Sequence, residues 1–412
     1  MIVLSTLVVL GNGFDLACGL KSSYSAFFDK RYNNEEFEKN WGIFLNSSVD
    51  YIQYFSEENI KKWNFWDFIF GFRVYDPFLI SMLPGKFSNM HFFKSINDHI
   101  PLNVLSSSSI GNNSNETWQD IEEVLSTISK SIANESGVIH SNVVKSIKEY
   151  ISNGKVNCSF LAEKREQTMI LFLSKLYILK FKNDALFPLN LKNKGFLNRF
   201  LLHELRQFEI IFTEYLIEEV NKVNKDYIIK ANELLRQILT EVELNEDYDV
   251  KLLNFNYTTP FYNNDSFYVQ NIHGTLKNNN TIFGIDNHNA EPSLKNFTKT
   301  YRILEMSIDR LSFVDAINNK NIGRIKFYGH SLGKADYSYF QSIFDGINLY
   351  ESDVVLEFFY SNYDPEIDEK TNLTNRIFDL ISEYGKTLDN KDHGKNIVHK
   401  LVLENRVIIK EI

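Results

Sequence analysis

Residues 6–10 read TLVVL, a short apolar run without polar alternation. That is the pattern of a central parallel strand buried on both faces. Runs rich in β-branched and aromatic residues recur at 250–255, 266–272, 281–285, 324–328, 354–360 and 407–410. Between 118 and 242 the period changes. TWQDIEEVLSTISKSI and FLLHELRQFEIIFTEYLIEEVNKV carry apolar residues at three- and four-residue spacing, which predicts helices. Helical patterns also fill 293–318 and 336–345. A further helix is expected to start near Ser22 or Ser23, either of which suits an N-cap. Residues 30–100 are rich in Asn, Phe, Trp and Tyr without clean periodicity and read as helices and loops. Residues 106–117, SSSSIGNNSNET, form a polar loop.

Alternation of strand and helix predicts an α/β fold with a doubly wound, mainly parallel Rossmann sheet. Residues 1–30 and 246–412 are expected to build that sheet domain, and 31–245 a large, mainly helical insertion. No internal repeat is visible.

Composition narrows the function classes. Of 412 residues, 43% are hydrophobic and 14% aromatic, so the chain can bury a sizeable core. A net charge of −9 argues against a dedicated nucleic-acid binder, which usually shows a basic face. Two cysteines, Cys18 and Cys158, make no disulfide framework, and no Cys/His spacing predicts a metal. A reducing, cytoplasmic setting fits best. The apolar start MIVLSTLVVL lacks a positive leader and reads as a strand rather than a signal. The later stretch 169–182 is broken by Lys175 and Lys180, so no membrane span is expected.

Four short segments each follow a strand-like run and read as turns at strand carboxyl ends, where open α/β sheets bind ligands. Gly11-Asn12-Gly13-Phe14-Asp15 can turn tightly and approach a phosphate at a helix start. Its third glycine is missing, and the Asp15 carboxylate suits a ribose hydroxyl better than a pyrophosphate. It equally suits a helix cap. Asn254, Asn256 and Thr258 alternate along the second turn and share a face, although asparagine is also a common turn former. His273-Gly274 ends the next run. A neutral histidine there can act as a general base, with an Asn amide orienting a water or a ribose hydroxyl. Gly329-His330-Ser331-Leu332-Gly333 matches a nucleophile elbow, with Asp353 or Asp364 and then His393 or His399 following in hydrolase order. A serine hydrolase on Ser331 is therefore a competing reading. In TWQDIEEVL, Trp118 and Glu122 share a helix face, so Glu122 or Glu123 either contacts substrate or belongs to a solvated acidic face. Asp286, ending FGID, is a strand-end carboxylate at the site or in a turn.

Taken in order, the four turns resemble the sirtuin-like fold, whose signatures G-A-G-x-S, T-x-N-x-D, H-G and G-x-S fall on 11–15, 254–258, 273–274 and 329–331. The stretches GNGFDLACGLKSSYSAF, TWQDIEEVL, LLNFNYT, IHG, FGID and YGHSLGKAD resemble the AbiH family of bacterial abortive-infection proteins, over residues 11 to 336. The resemblance implies an antiphage effector with NAD as substrate. It implies His273 as base on a ribose hydroxyl and Asn256 holding the nicotinamide ribose or the attacking water. Gly11, Gly13 and Ser331 would contact the dinucleotide, with Asn12, Asp15, Thr258, Asp286 and Glu122 completing the candidate set. Asn12, Asp15 and Thr258 depart from the sirtuin-like pattern and leave room for another nucleotide, or for binding without turnover. No cysteine zinc module is present, so hydrolysis of the glycosidic bond is expected rather than deacylation. A nucleotide sensor whose helical part binds a phage protein is the non-enzymatic alternative, and a homo-oligomer stays open.

Overall fold

The computed structural model describes residues 5–32, 63–67, 69–70, 122, 124–126, 129, 138–154, 156, 164–183, 195–244, 249–261, 267–288, 290–306, 322–362 and 366–412. Six strands form one sheet: β1 (Ser5–Leu10), β2 (Val250–Asn254), β3 (Phe267–Asn271), β4 (Ile322–Tyr328), β5 (Val355–Tyr360) and β6 (Val407–Glu411). Their order is β3-β2-β1-β4-β5-β6, with every neighbouring pair parallel. The chain winds outward from β1 in both directions, the Rossmann-like arrangement, and the order reverses between β1 and β4. Leu10 pairs with Asn254 on one side and Tyr328 on the other, and Asn254 pairs with Asn271. The strand ends are therefore flush, and the turns after β2, β1 and β4 leave the sheet side by side.

Every residue of β1 is buried. Alternation sends its side chains to two cores. Leu7 and Val9 join the aromatic and aliphatic side chains of α7 (Tyr337–Gly346), α8 (Glu369–Thr387) and α9 (Lys391–Leu403). Val8 and Leu10 face Tyr227, Ala231, Leu235 and Ile238 at the far end of α5 (Phe196–Ile238). Each such fully buried aliphatic side chain contributes about 1.5–3 kcal/mol of transfer free energy.

Helices α1 (Asn12–Ala17) and α2 (Tyr24–Tyr32) follow β1. Ser23 caps α2, its Oγ accepting the Ala26 N–H at 3.2 Å. Helices α3 (Val138–Asn153) and α4 (Lys164–Phe181) belong to the second, mainly helical part, with the first half of α5. At 43 residues, α5 is about 65 Å long and serves both parts. Its amino-terminal half packs Phe208 and Phe212 against Phe27 and Phe283, while its carboxyl-terminal half covers the sheet. A buried ion pair fastens α6 (Lys299–Glu305) to α5. Arg302 Nη2 donates to Glu209 Oε2 at 2.7 Å, and Nη1 donates to Glu209 Oε1 and to the Phe283 carbonyl.

The strand expected over 281–285 is not one; only an isolated bridge between Ile285 and Thr298 forms. The Phe283 N–H donates to the Glu209 carboxylate, and Ile282 and Ile285 bond turn carbonyls. The segment is apolar because Phe283 and Ile285 fill the helical core, not because it joins a ladder. The helix expected over 293–318 is, within its described residues, a 3₁₀ turn (Pro292–Phe297) and then α6. Among the described residues no helix is long and apolar enough to cross a membrane.

Candidate functional site

Three glycines let the turn after β1 touch the turn after β4. The Gly13 N–H donates to the Gly329 carbonyl at 2.8 Å, and the Gly11 N–H to the Tyr328 carbonyl at 3.0 Å. A Cβ on Gly13 would lie 2.7 Å from Gly329 Cα, and one on Gly11 would lie 2.5 Å from His330 Cα. Gly329 has φ +69, and a Cβ there would meet the Phe14 nitrogen at 2.3 Å. The glycines thus serve backbone crossing at the point where strand order reverses.

A cleft opens there. The 11–13 and 329–331 turns form one wall, with Phe255, His273, Lys299 and Asp336 beside them and Tyr24, Glu122 and Leu125 from the helical part. It encloses about 70 Å³, room for a few water molecules.

Asp336 is the hub of its charges. Lys299 Nζ donates to Asp336 Oδ1 at 2.7 Å and to the Ala335 carbonyl at 2.9 Å, and lies 2.5 Å from Glu122 Oε1. Two imidazoles face the same carboxylate: His330 Nε2 is 3.4 Å from Oδ2, and His273 Nε2 is 3.3 Å from Oδ1. His330 has an assigned tautomer. The turn curls back through Leu332, with φ 54, and the Leu332 N–H donates to His330 Nδ1 at 2.9 Å. In the neutral ring the proton therefore sits on Nε2, toward Asp336. His273 is 4% exposed, and its buried Nε2 lies against Asp336 without a well-aligned hydrogen bond.

The titration behaviour follows from this packing. Burial lowers His273 below its usual 6.5, and Lys299 adds to that, with Asp336 opposing. Burial alone would raise Asp336, but Lys299 and the two imidazoles hold it well below the usual carboxylate range. Glu122 is pushed up to about 8 by burial, with the Asp336 and Asp286 charges adding and Lys299 opposing. At neutral pH the cleft presents a neutral His273 beside an ionised Asp336.

Of the residues singled out from sequence, Gly11, Asn12, Gly13, Glu122, His273 and Ser331 line the cleft. Asn256 does not. It is buried behind the first turn, with its Nδ2 donating to the Gly11 carbonyl at 3.1 Å. Asp15 and Thr258 also lie behind the wall. Thr258 Oγ1 donates to Asp15 Oδ2 at 2.7 Å, and the Tyr227 hydroxyl donates to Asp15 Oδ1 at 2.8 Å. Two of the three departures from the sirtuin-like signature are thus one interaction. Burial raises Asp15 to about 6, with the Thr258 and Tyr227 hydroxyls opposing. Asp286 accepts from the Ser338 N–H at 3.0 Å and Oγ at 2.7 Å, which fixes the start of α7. Trp118, Asp120, Glu123 and Asp364 fall outside the described residues.

Among the described residues no histidine reaches the Ser331 hydroxyl, which accepts the Gly333 N–H at 3.4 Å. His393 instead stacks on Tyr350 at 4.2 Å, ahead of β5, and His399 is exposed on α9. Asp353 precedes β5, at the sheet edge opposite the turns. Among the described residues no group of three or more His, Cys, Asp or Glu is placed to hold a metal ion.

Sequence reasoning missed Lys299, His330 and Asp336 as site residues. His330 and Asp336 lie inside the stretch YGHSLGKAD, so their proximity to Ser331 was the available signal. Lys299 sits in FTKTY and carries none.

No curated protein and no solved structure matches the chain. The family described as "Bacteriophage abortive infection AbiH" matches residues 7–358, from β1 through β5 and so across every residue of the cleft. The chain belongs to the AbiH family of bacteriophage abortive-infection proteins.

Proposed function

We propose that this abortive-infection protein binds a nucleotide, NAD or a relative, at the cleft between β1 and β4 and hydrolyses its glycosidic bond. The observation that carries the reading is His273: buried, neutral at pH 7, lining the cleft and 3.3 Å from an ionised Asp336. A water on His273 would lose its proton to the imidazole as it attacks the anomeric carbon. Asp336 would stabilise the imidazolium and face the positive charge that develops on the sugar. Asn12, Ser331 and the glycine turns would contact the rest of the ligand, and Asn256 donates to the Gly11 carbonyl.

The test is incubation of purified protein with NAD, with products separated by chromatography, for wild type and His273→Ala. The expected outcome is release of the base by wild type, and loss of both turnover and phage protection in the folded variant. Full protection by folded His273→Ala supports nucleotide sensing without turnover instead.

A further inference from the structure

We infer that Glu122 is the acid that protonates the departing base, which makes that base the purine of NAD or of another adenine nucleotide rather than the pyridinium. This rests on the hydrolytic reading above and narrows it.

Lys299 faces two carboxylates in a buried cleft, Asp336 at 2.7 Å and Glu122 at 2.5 Å. A single cation does not hold two anions there equally, because like charges this close disfavour double ionisation. Asp336 has the stronger claim on the negative charge, since His273 and His330 face it as well. Among the described residues Glu122 pairs with Lys299, and the Asp336 and Asp286 charges oppose its ionisation. The proton therefore resides on Glu122, in keeping with its upward shift to about 8. Lys299 meets Glu122 through Oε1, which leaves Oε2 to carry the O–H.

The cleft thus holds a neutral base, His273, and a protonated acid, Glu122, separated by the Lys299–Asp336 pair. Two titratable groups driven in opposite directions define an acid and a base. The step balances as follows. The bond between the anomeric carbon and the base nitrogen breaks, and its electron pair goes to the base. The Glu122 proton transfers to a base ring nitrogen, so the base leaves neutral. Water adds to the anomeric carbon and gives its proton to His273. Solvent then returns a proton to Glu122 and removes one from His273. A pyridinium base already leaves neutral, taking both electrons without a proton, and has no use for this acid. A purine without the acid must leave as an anion.

The experiment compares adenosine 5′-monophosphate with nicotinamide mononucleotide, which share ribose and phosphate and differ in the leaving base. Wild type, Glu122→Gln, Glu122→Asp and His273→Ala are assayed as full chains, with thermal melts as the check on folding. Glu122→Gln should lose about 10²–10⁴-fold on the adenine substrate and change little on the nicotinamide one, while Glu122→Asp recovers part of the loss. His273→Ala should lose both activities. Equal losses of Glu122→Gln on both substrates, or no loss on the adenine one, overturn the assignment. So does a wild type that cleaves only the nicotinamide substrate, a result that leaves the hydrolytic reading standing. Cleavage of neither by wild type overturns both. Should Glu122→Gln fail to fold, the wild-type substrate preference and Glu122→Asp still decide.

Discussion

Replacing Lys299 by methionine removes the cation that Glu122 and Asp336 share while nearly keeping side-chain length. Three acceptors lose their donor: the Ala335 carbonyl, Asp336 Oδ1 and Glu122 Oε1. Glu122 answers by staying protonated, so its loss is that of one hydrogen bond. Asp336 is left as an uncompensated buried carboxylate, and breaking such a pair destabilises by about 3–5 kcal/mol. At about 1.2 °C per kcal/mol for a chain of this length, the melting temperature should fall by about 4–6 °C. Asp336→Asn on the same background removes the stranded charge, so the double variant should melt above the sum of the singles. A coupling of about 1–3 kcal/mol is expected for such contacting groups. The second readout is His273. Lys299 depresses its titration, so the His273 pKa should rise in Lys299→Met, read by NMR of the ring protons. Additive effects of the two substitutions, with an unmoved His273, would refute the hub.

Asp15→Asn should flatten the acid side of the stability profile. The carboxyl titrates near 4 unfolded and near 6 folded. A raised carboxyl contributes stability that is full below about pH 4 and is lost as pH rises through about 6, roughly 3 kcal/mol in all. Urea unfolding at pH 4 and pH 7 should show that loss in wild type and not in the variant. Gly329→Ala forces a non-glycine side chain into φ +69 and against the Phe14 nitrogen; left-handed strain of about 1–2 kcal/mol and overpacking of about 1–3 kcal/mol should lower the melting point. Ser331→Ala should raise KM more than it lowers kcat, and a serine-directed phosphonate should leave the wild type unlabelled.

The sheet was legible because β1 is an uninterrupted buried run, and β2 and β4 are mostly buried, with turns directly after them. The convergence of four distant turns followed from one physical rule: parallel strands end at the same edge. Residues 281–285 failed that logic because an apolar run reports burial, not pairing, and here Glu209 supplies the backbone partner. The site was legible only in part. Histidine and serine at strand ends announce themselves, whereas Lys299 and Asp336 matter only through contacts across 37 positions of chain. Asp15 and Thr258 each looked like a lone departure from a signature. Their bond spans 243 positions, beyond the reach of any local pattern.

The central claim is that His273, at the cleft between β1 and β4, is the base for glycosidic hydrolysis. Its most direct test is the pH profile of kcat/KM for release of the base, measured on wild type and on folded His273→Ala. The account predicts an acid limb in wild type with an apparent pKa below 6.5, from the downward shift of His273. That limb should vanish in the variant, together with about 10²–10⁴-fold of the rate. A His273→Ala protein that keeps the wild-type rate and the same acid limb contradicts the claim.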